Sequence, residues 1–244
     1  MKTPKDGAET KASAKRPVGR PRADGRPQLT RDTVLKTAAI LIAENGYSAT
    51  SIRMIAEAEG AVPASIFNLF PSKDALLNEL IGFVSKPSFL FYQMLNALEL
   101  PIGVALYKSV FEEVRAVTSA DKHLPALFYL PELAKPDFAE AQHVREELVC
   151  HYRNLIAAGC NTLVFQTDSV DLAAEQVFQL TETSIIANAT TSTLTVDEQA
   201  QATSRLCLRS LLADPQQLTE IETAASQVDV KIDIPAEVPA KVFA

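Results

Sequence analysis

The sequence has little glycine, little cysteine and no long uninterrupted apolar run. Only 8 of its 244 residues are glycine, and β-branched runs of the kind that mark strands are few, which leans the chain towards an all-α fold. The three cysteines, Cys150, Cys160 and Cys207, are widely spaced and form no CxxC pair. An odd, scattered set excludes a secreted disulfide framework and reads as buried or half-buried thiols. Met1–Thr10 is polar and charged, without the apolar core of a signal peptide. The most apolar stretch, Phe83–Leu95, is broken by Lys86 and Pro87, so no transmembrane helix and no membrane partner are expected. Together these absences point to the cytoplasm.

Catalytic signatures are missing too. There is no GxSxG elbow, no phosphate loop and no dinucleotide fingerprint. The three histidines are His123, His143 and His151. The last two sit two helical turns apart, too far to share a metal as i, i+4 ligands do, and Cys150 beside His151 faces another way. The expectation is a chain that is not an enzyme and carries no metal and no cofactor.

What is present is charge, unevenly placed. The net charge is −7. Residues 1–80 hold 12 Lys+Arg and 9 Asp+Glu, whereas residues 81–244 hold 11 and 21. Residues 11–31 contain seven basic side chains and one acid, Asp24. A basic end on an acidic body is the footprint of a head that faces nucleic acid.

Residues 1–28 are too rich in Lys, Arg, Pro, Gly, Ala and Ser to bury a core and are expected to be disordered when free. From Thr30 helical periodicity begins. Thr30 caps a helix carrying Val34, Ala38, Leu41 and Ile42, which Asn45-Gly46 ends. Thr50 is read as the cap of a second, short helix with Ile52, Ile55 and Ala56 inside, broken by Gly60. A third runs roughly Val62–Asn68 with Pro63 in its first turn, and Ser72 caps a fourth holding Leu76, Leu77 and Leu80. Further helices are expected over Ile102–Val117, Leu124–Leu133, Phe138–Ala158 and Val170–Ala189, and from Thr195 to about Leu212. The short Thr190–Thr195 link makes the last two an antiparallel pair. After Pro215 come a brief polar helix candidate and an alternating stretch expected as an extended or mobile tail. The organisation is thus an arm over 1–28, a three-helix head over 29–80, a larger helical domain over 81–214 and a tail over 215–244.

Three short helices with a tight Glu59–Val62 turn between the second and third have the arithmetic of a helix-turn-helix. The third must fit a groove about 12 Å wide. Its outward candidates are Pro63, Ala64, Ser65, Phe67 and Asn68, with Ile66 and Leu69 turned inward. Ser65 and Asn68 can hydrogen-bond, and Ala64 can meet a thymine methyl. No arginine lies on this helix to grip a guanine; Arg53 on the second helix is the nearest substitute.

The strings TSIRMIAEAEG, AVPASIFNLF and PSKDALL, in that order and spacing, resemble the DNA-binding domain of the TetR family over Thr30–Leu80. The resemblance implies an all-α chain: a helix-turn-helix head, then a larger ligand-binding and dimerisation domain. It implies phosphate contacts at the positions of Thr50 and Lys73. Departures are local: Phe67 and Leu69 stand where the family has tyrosines, and Val62 where it has a capping serine.

The arm reads KRPVGRPRADGRP. Its Gly-Arg-Pro core resembles an AT-hook, in which arginine enters a narrow A·T-rich minor groove. Arg16, Arg20, Arg22 and Arg26 are the candidate contacts.

Most aromatics of the second domain are expected in its core. Tyr107, Phe111, Phe128, Tyr129, His151 and Tyr152 are the candidates for the wall of a small-molecule pocket. Leu172, Val177, Leu180 and Ile185, with Leu206, Leu208 and Leu211, give the last helical pair apolar faces. In the resembled family that pair joins two subunits, and two recognition helices about 34 Å apart also favour a dimer. The expected function is a homodimeric, ligand-responsive repressor. The rival is an architectural A·T-rich DNA-binding protein without a ligand.

Overall fold

A computed structural model describes residues 29–119, 127–189 and 193–232, side chains 184–189 excepted. The arm with Arg16, Arg20, Arg22 and Arg26 lies outside these residues, as do half of the Thr190–Thr195 link and the last twelve residues. Among the described residues the chain is helical, and its one β-bridge joins Phe165 to Leu212.

Local chemistry sets the helix starts. In α1 (Arg31–Asn45) the Thr30 side chain accepts from the Thr33 amide at 3.2 Å, while the Thr33 hydroxyl accepts from the Thr30 amide at 3.1 Å. Val34, Leu35, Ala38, Ala39, Leu41 and Ile42 form its buried face. Gly46, at φ 82°, turns the chain out of α1 and donates its amide to the Ile42 carbonyl. The short α2 (Ile52–Ala58) is capped by Ser51, whose hydroxyl accepts from the Met54 amide. Thr50 is therefore not the cap expected of it. Gly60, at φ 60°, makes the turn into α3 (Pro63–Phe67).

Ser72 caps α4 (Lys73–Asn96), which is far longer than the head it starts in. Pro87 sits inside this helix. Having no N–H, it leaves the Phe83 carbonyl without its ordinary helical donor. The first half of α4 buries Leu76, Leu77, Leu80 and Ile81 in the head core. The second half buries Phe91, Tyr92 and Leu95 in the body core.

The body is built around α5 (Ile102–Ser119), which is buried over nearly its whole length. Packed about it are α6 (Ala139–Asn161), α7 (Val170–Ala189), α8 (Val196–Leu211) and α9 (Leu218–Ser226). Fully buried residues such as Leu106, Ile156 and Leu208 each contribute roughly 1.5–3 kcal/mol of burial. An ion cluster runs along α5. Lys108 donates to Glu112 at 3.0 Å, Arg115 donates to the other Glu112 oxygen, and Arg115 also donates to the Ile232 carbonyl at 3.1 Å.

Two expectations are corrected. The helix expected over Leu124–Leu133 is absent over its described part, where 3-10 turns run at Leu127–Tyr129, Pro131–Ala134 and Pro136–Phe138. Pro131 and Pro136 interrupt any longer helix. Leu127, Phe138 and Ala141 pass into the head core, so this segment joins body to head. The Asn78 side chain fastens the same junction, donating to the Asp137 carbonyl and accepting from the Ala141 amide. The brief helix expected after Pro215 is α9, and the chain from it to residue 232 belongs to the body rather than to a tail. Leu218, Ile221, Ala225 and Ile232 are buried in the body core, and Glu222 pairs with Arg205.

Candidate nucleic-acid interface

The three helices of the head hold α3 outward. Ile66 is its buried anchor, at 0% exposure, and Leu69 is half-buried. Pro63, Ala64, Phe67 and Asn68 are exposed and Ser65 is half-buried. Val62 and Phe67 are 62% and 50% exposed. No charged side chain lies on α3. Arg53 is exposed on the neighbouring α2.

Two residues carried over from the family resemblance are engaged inside the protein. Thr50 is only 1% exposed, and its hydroxyl lies 3.0 Å from the Leu41 carbonyl and 2.9 Å from that of Gly46. Lys73 donates from Nζ to the carbonyls of Tyr47 (2.8 Å) and Thr50 (3.0 Å), and Nζ lies 4.1 Å from the Tyr47 ring centroid. Both therefore tie down the turn between α1 and α2. Lys73 keeps one N–H for an outside acceptor.

Sequence reasoning missed Arg31 and Tyr47. Arg31 donates to both carboxylate oxygens of Glu79 and to the Leu69 carbonyl, and its guanidinium covers the Phe70 ring at 4.4 Å. It braces the chain just after α3. Tyr47 donates to Asp74 and meets Phe138 edge-on at 5.7 Å. Burial and the Asp74 carboxylate raise its phenol above the ordinary range. These partners lie 27 to 91 residues away, and no local spacing announces them.

The described head carries four basic residues (Arg31, Lys36, Arg53 and Lys73) and six acids. With Arg31 on Glu79 and Lys73 on carbonyls, little of that positive charge is left over for phosphates. The arm before it carries eight basic residues and three acids.

The candidate pocket residues fall into separate settings. Tyr107 stacks near Phe111 and donates to Glu222 at 3.2 Å. His151 and Tyr152 lie in the core with Tyr92, and the rings of Tyr92 and His151 are parallel with centroids 3.6 Å apart. Ser109 Oγ lies 2.8 Å from His151 Nε2 and 2.9 Å from the Ala105 carbonyl oxygen, within hydrogen-bond reach of both. Burial drives the His151 imidazole down to about 3, and it stays neutral. Tyr92 donates to the buried Glu113, whose carboxyl burial raises. Tyr152 has no exposure, and its hydroxyl has no well-formed hydrogen bond among the described residues. Phe128 is half-buried and Tyr129 is exposed at the head–body junction.

An open groove of about 440 Å³ runs between α7 and α8, lined by Ala173, Val177, Leu180, Leu206 and Leu211 among others. Leu172 and Leu206, on these helices, are 57% and 54% exposed. Val177, Leu208 and Leu211, from the apolar faces of the same helical pair, are buried in the core of this chain.

Comparison with known proteins agrees with the head. Residues 34–80 match the family described as bacterial regulatory proteins, tetR family. The HTH-type transcriptional repressor KstR2 of Mycolicibacterium smegmatis is 26% identical over 132 residues, covering 50% of this chain and 62% of the relative. The chain thus aligns with less than two thirds of that relative's length. The crystal structure of Mycobacterium smegmatis AmtR is similar at a TM-score of 0.64 and 27% identity, covering 86% of this chain and all of that one. The fold is shared with Bacillus subtilis FadR, solved in complex with stearoyl-CoA, at a TM-score of 0.62 and 16% identity over 74% of this chain and 99% of that one. The head, residues 34–80, thus carries the N-terminal domain of the tetR family of bacterial regulatory proteins.

Proposed function

We propose that the chain is a dimeric transcriptional repressor whose α3 enters the major groove and whose body responds to a small molecule. The observation that carries this reading is the outward face of α3, anchored by Ile66 and braced by α1, α2 and the Arg31–Glu79 pair. Pro63, Ala64, Ser65, Phe67 and Asn68 take the base edges. Arg53 and the third N–H of Lys73 take phosphates. Arg16, Arg20, Arg22 and Arg26 supply the larger part of the backbone or minor-groove contact. The Thr50 side chain acts through the α1–α2 turn, since its hydroxyl is spent there.

Two copies meet across α7 and α8, where Leu172 and Leu206 are exposed beside the open groove. A ligand in the body would shift the spacing of the two heads through the Leu127–Ala141 junction and release DNA. The body site draws on the aromatic and polar groups around Tyr92, His151 and Tyr152. The protein acts in the cytoplasm as a regulator, without catalysis.

One observation favours the second reading, an architectural A·T-rich binder: the positive charge lies in the arm and not in the folded head. A single experiment separates the two. The full chain is bound to a pool of random duplexes at several salt concentrations, and the retained DNA is sequenced. An inverted repeat with half-sites about one helical turn apart supports the repressor. Unspaced A·T-rich sequence supports the architectural protein, and no enrichment at low salt overturns both.

A further inference from the structure

The chemistry of α3 says what kind of base pair it reads. In the major groove guanine offers two acceptors and is gripped by Arg or Lys. Adenine offers an acceptor and a donor that match a side-chain amide. Thymine alone of the four bases carries a methyl group. The helix has no cation to offer guanine and no carboxylate to offer cytosine. The exposed surface at and just before it is hydrocarbon from Val62, Pro63, Ala64 and Phe67, and the one exposed hydrogen-bonding side chain is Asn68. The Phe67 ring, half exposed, has no aromatic or cationic partner among the described residues. Leaving Val62 and Phe67 in water forgoes burial that each would gain against an apolar group.

We propose that α3 is a thymine-methyl reader: Val62, Ala64 and Phe67 close over thymine 5-methyl groups in each half-site, and Asn68 pairs with the edge of an adenine. The ligand class is therefore a duplex with methyl-bearing pyrimidines at the contacted positions. This rests on the major-groove reading above. It differs from any A·T preference of the arm, because the 5-methyl group lies in the major groove and an arm in the minor groove does not meet it.

Replacing thymine by uracil removes that methyl and leaves every hydrogen-bonding group in both grooves. The full chain is first used to select its site from random duplexes. The selected duplex is then made with uracil at single thymine positions, and with 5-methylcytosine·guanine pairs at the same positions. Uracil is expected to weaken binding about four-fold at each contacted position, the value of one buried methyl. At positions between the half-sites it should have no effect. 5-Methylcytosine should bind more tightly than cytosine there. Phe67→Ala, a change at an exposed position that leaves the fold intact, should shrink the uracil penalty at one position per half-site.

Equal affinity for thymine and uracil duplexes at all positions would overturn the methyl reading while leaving a sequence-specific regulator. So would a uracil penalty unchanged in Phe67→Ala and in Ala64→Gly alike. Failure to enrich any site would remove the major-groove reading and this proposal with it.

Discussion

A Cβ added at Gly159 would meet the Phe165 ring at 1.9 Å. Glycine inside a helix is ordinarily worse than alanine by about 1 kcal/mol, so Gly159→Ala would stabilise an isolated α6. Here Phe165 is 2% exposed and cannot step aside. Gly159→Ala is therefore expected to cost about 1–3 kcal/mol net, read as a fall in Tm of about 2–4 °C per kcal/mol; an unchanged or raised Tm would show that the ring relocates freely. Two titrating residues give opposite pH slopes. His151 is pushed down to about 3 by burial, against 6.5 unfolded. The unfolded chain alone binds that proton between those values, so the site's stability is full above about pH 6.5 and lost as pH falls towards 3. Glu182 is raised by burial from 4.5 to about 7, with Arg145 pulling it down and Glu175 and Glu113 pushing it up. Its stability is full below about pH 4.5 and lost as pH rises through 7. Glu182→Gln should remove only the second slope, so the Tm difference between variant and parent should grow from about pH 5 to about pH 8. A flat difference would mean that Glu182 titrates as it does in the unfolded chain.

Helix starts were legible from single residues because capping is local: Thr30, Ser72 and Thr195 stand where their side chains accept the amide three residues on. The choice between Thr50 and Ser51 was not legible. Either can cap, and the decision falls to Thr50 being drawn into the turn by the Leu41 and Gly46 carbonyls. The Leu124–Leu133 stretch misled for a different reason. Its apolar spacing suits a helix, but Leu127 and Phe138 are buried against the head, a demand that comes from residues far away in sequence. The same limit applies to α7 and α8. Their periodicity marks apolar faces but not which part meets α5 and which is left outside. The structure leaves Leu172 and Leu206 outside. Leu206→Glu is expected to yield a folded monomer by light scattering with an unchanged helical spectrum. It should also lose the steep concentration dependence of DNA binding. A Leu206→Glu chain that still runs as a dimer would move the subunit contact elsewhere.

The whole molecule divides its labour by charge, and this was legible from counting. The arm holds eight basic residues and the body most of the acids. The folding of the head adds what counting could not: Arg31 is paired with Glu79 and Lys73 is held on backbone carbonyls. Deleting residues 1–28 should therefore flatten the salt dependence of DNA binding by roughly 3–6 units of the log–log slope, at about 0.9 per phosphate released. The position of the selected half-sites should not move. A truncated chain with the parent's slope would return the phosphate contacts to the folded head. One shaft, α4, runs through both cores, gripped by the head at Leu76–Ile81 and by the body at Phe91–Leu95. Between the two grips stands Pro87, where the ladder lacks a rung. A rod clamped at both ends yields at its softest section. In the proposed dimer a rearrangement in the body would reach the head as a change of angle about Pro87, a few degrees of which, carried across two subunits, would set how far apart the two reading helices stand.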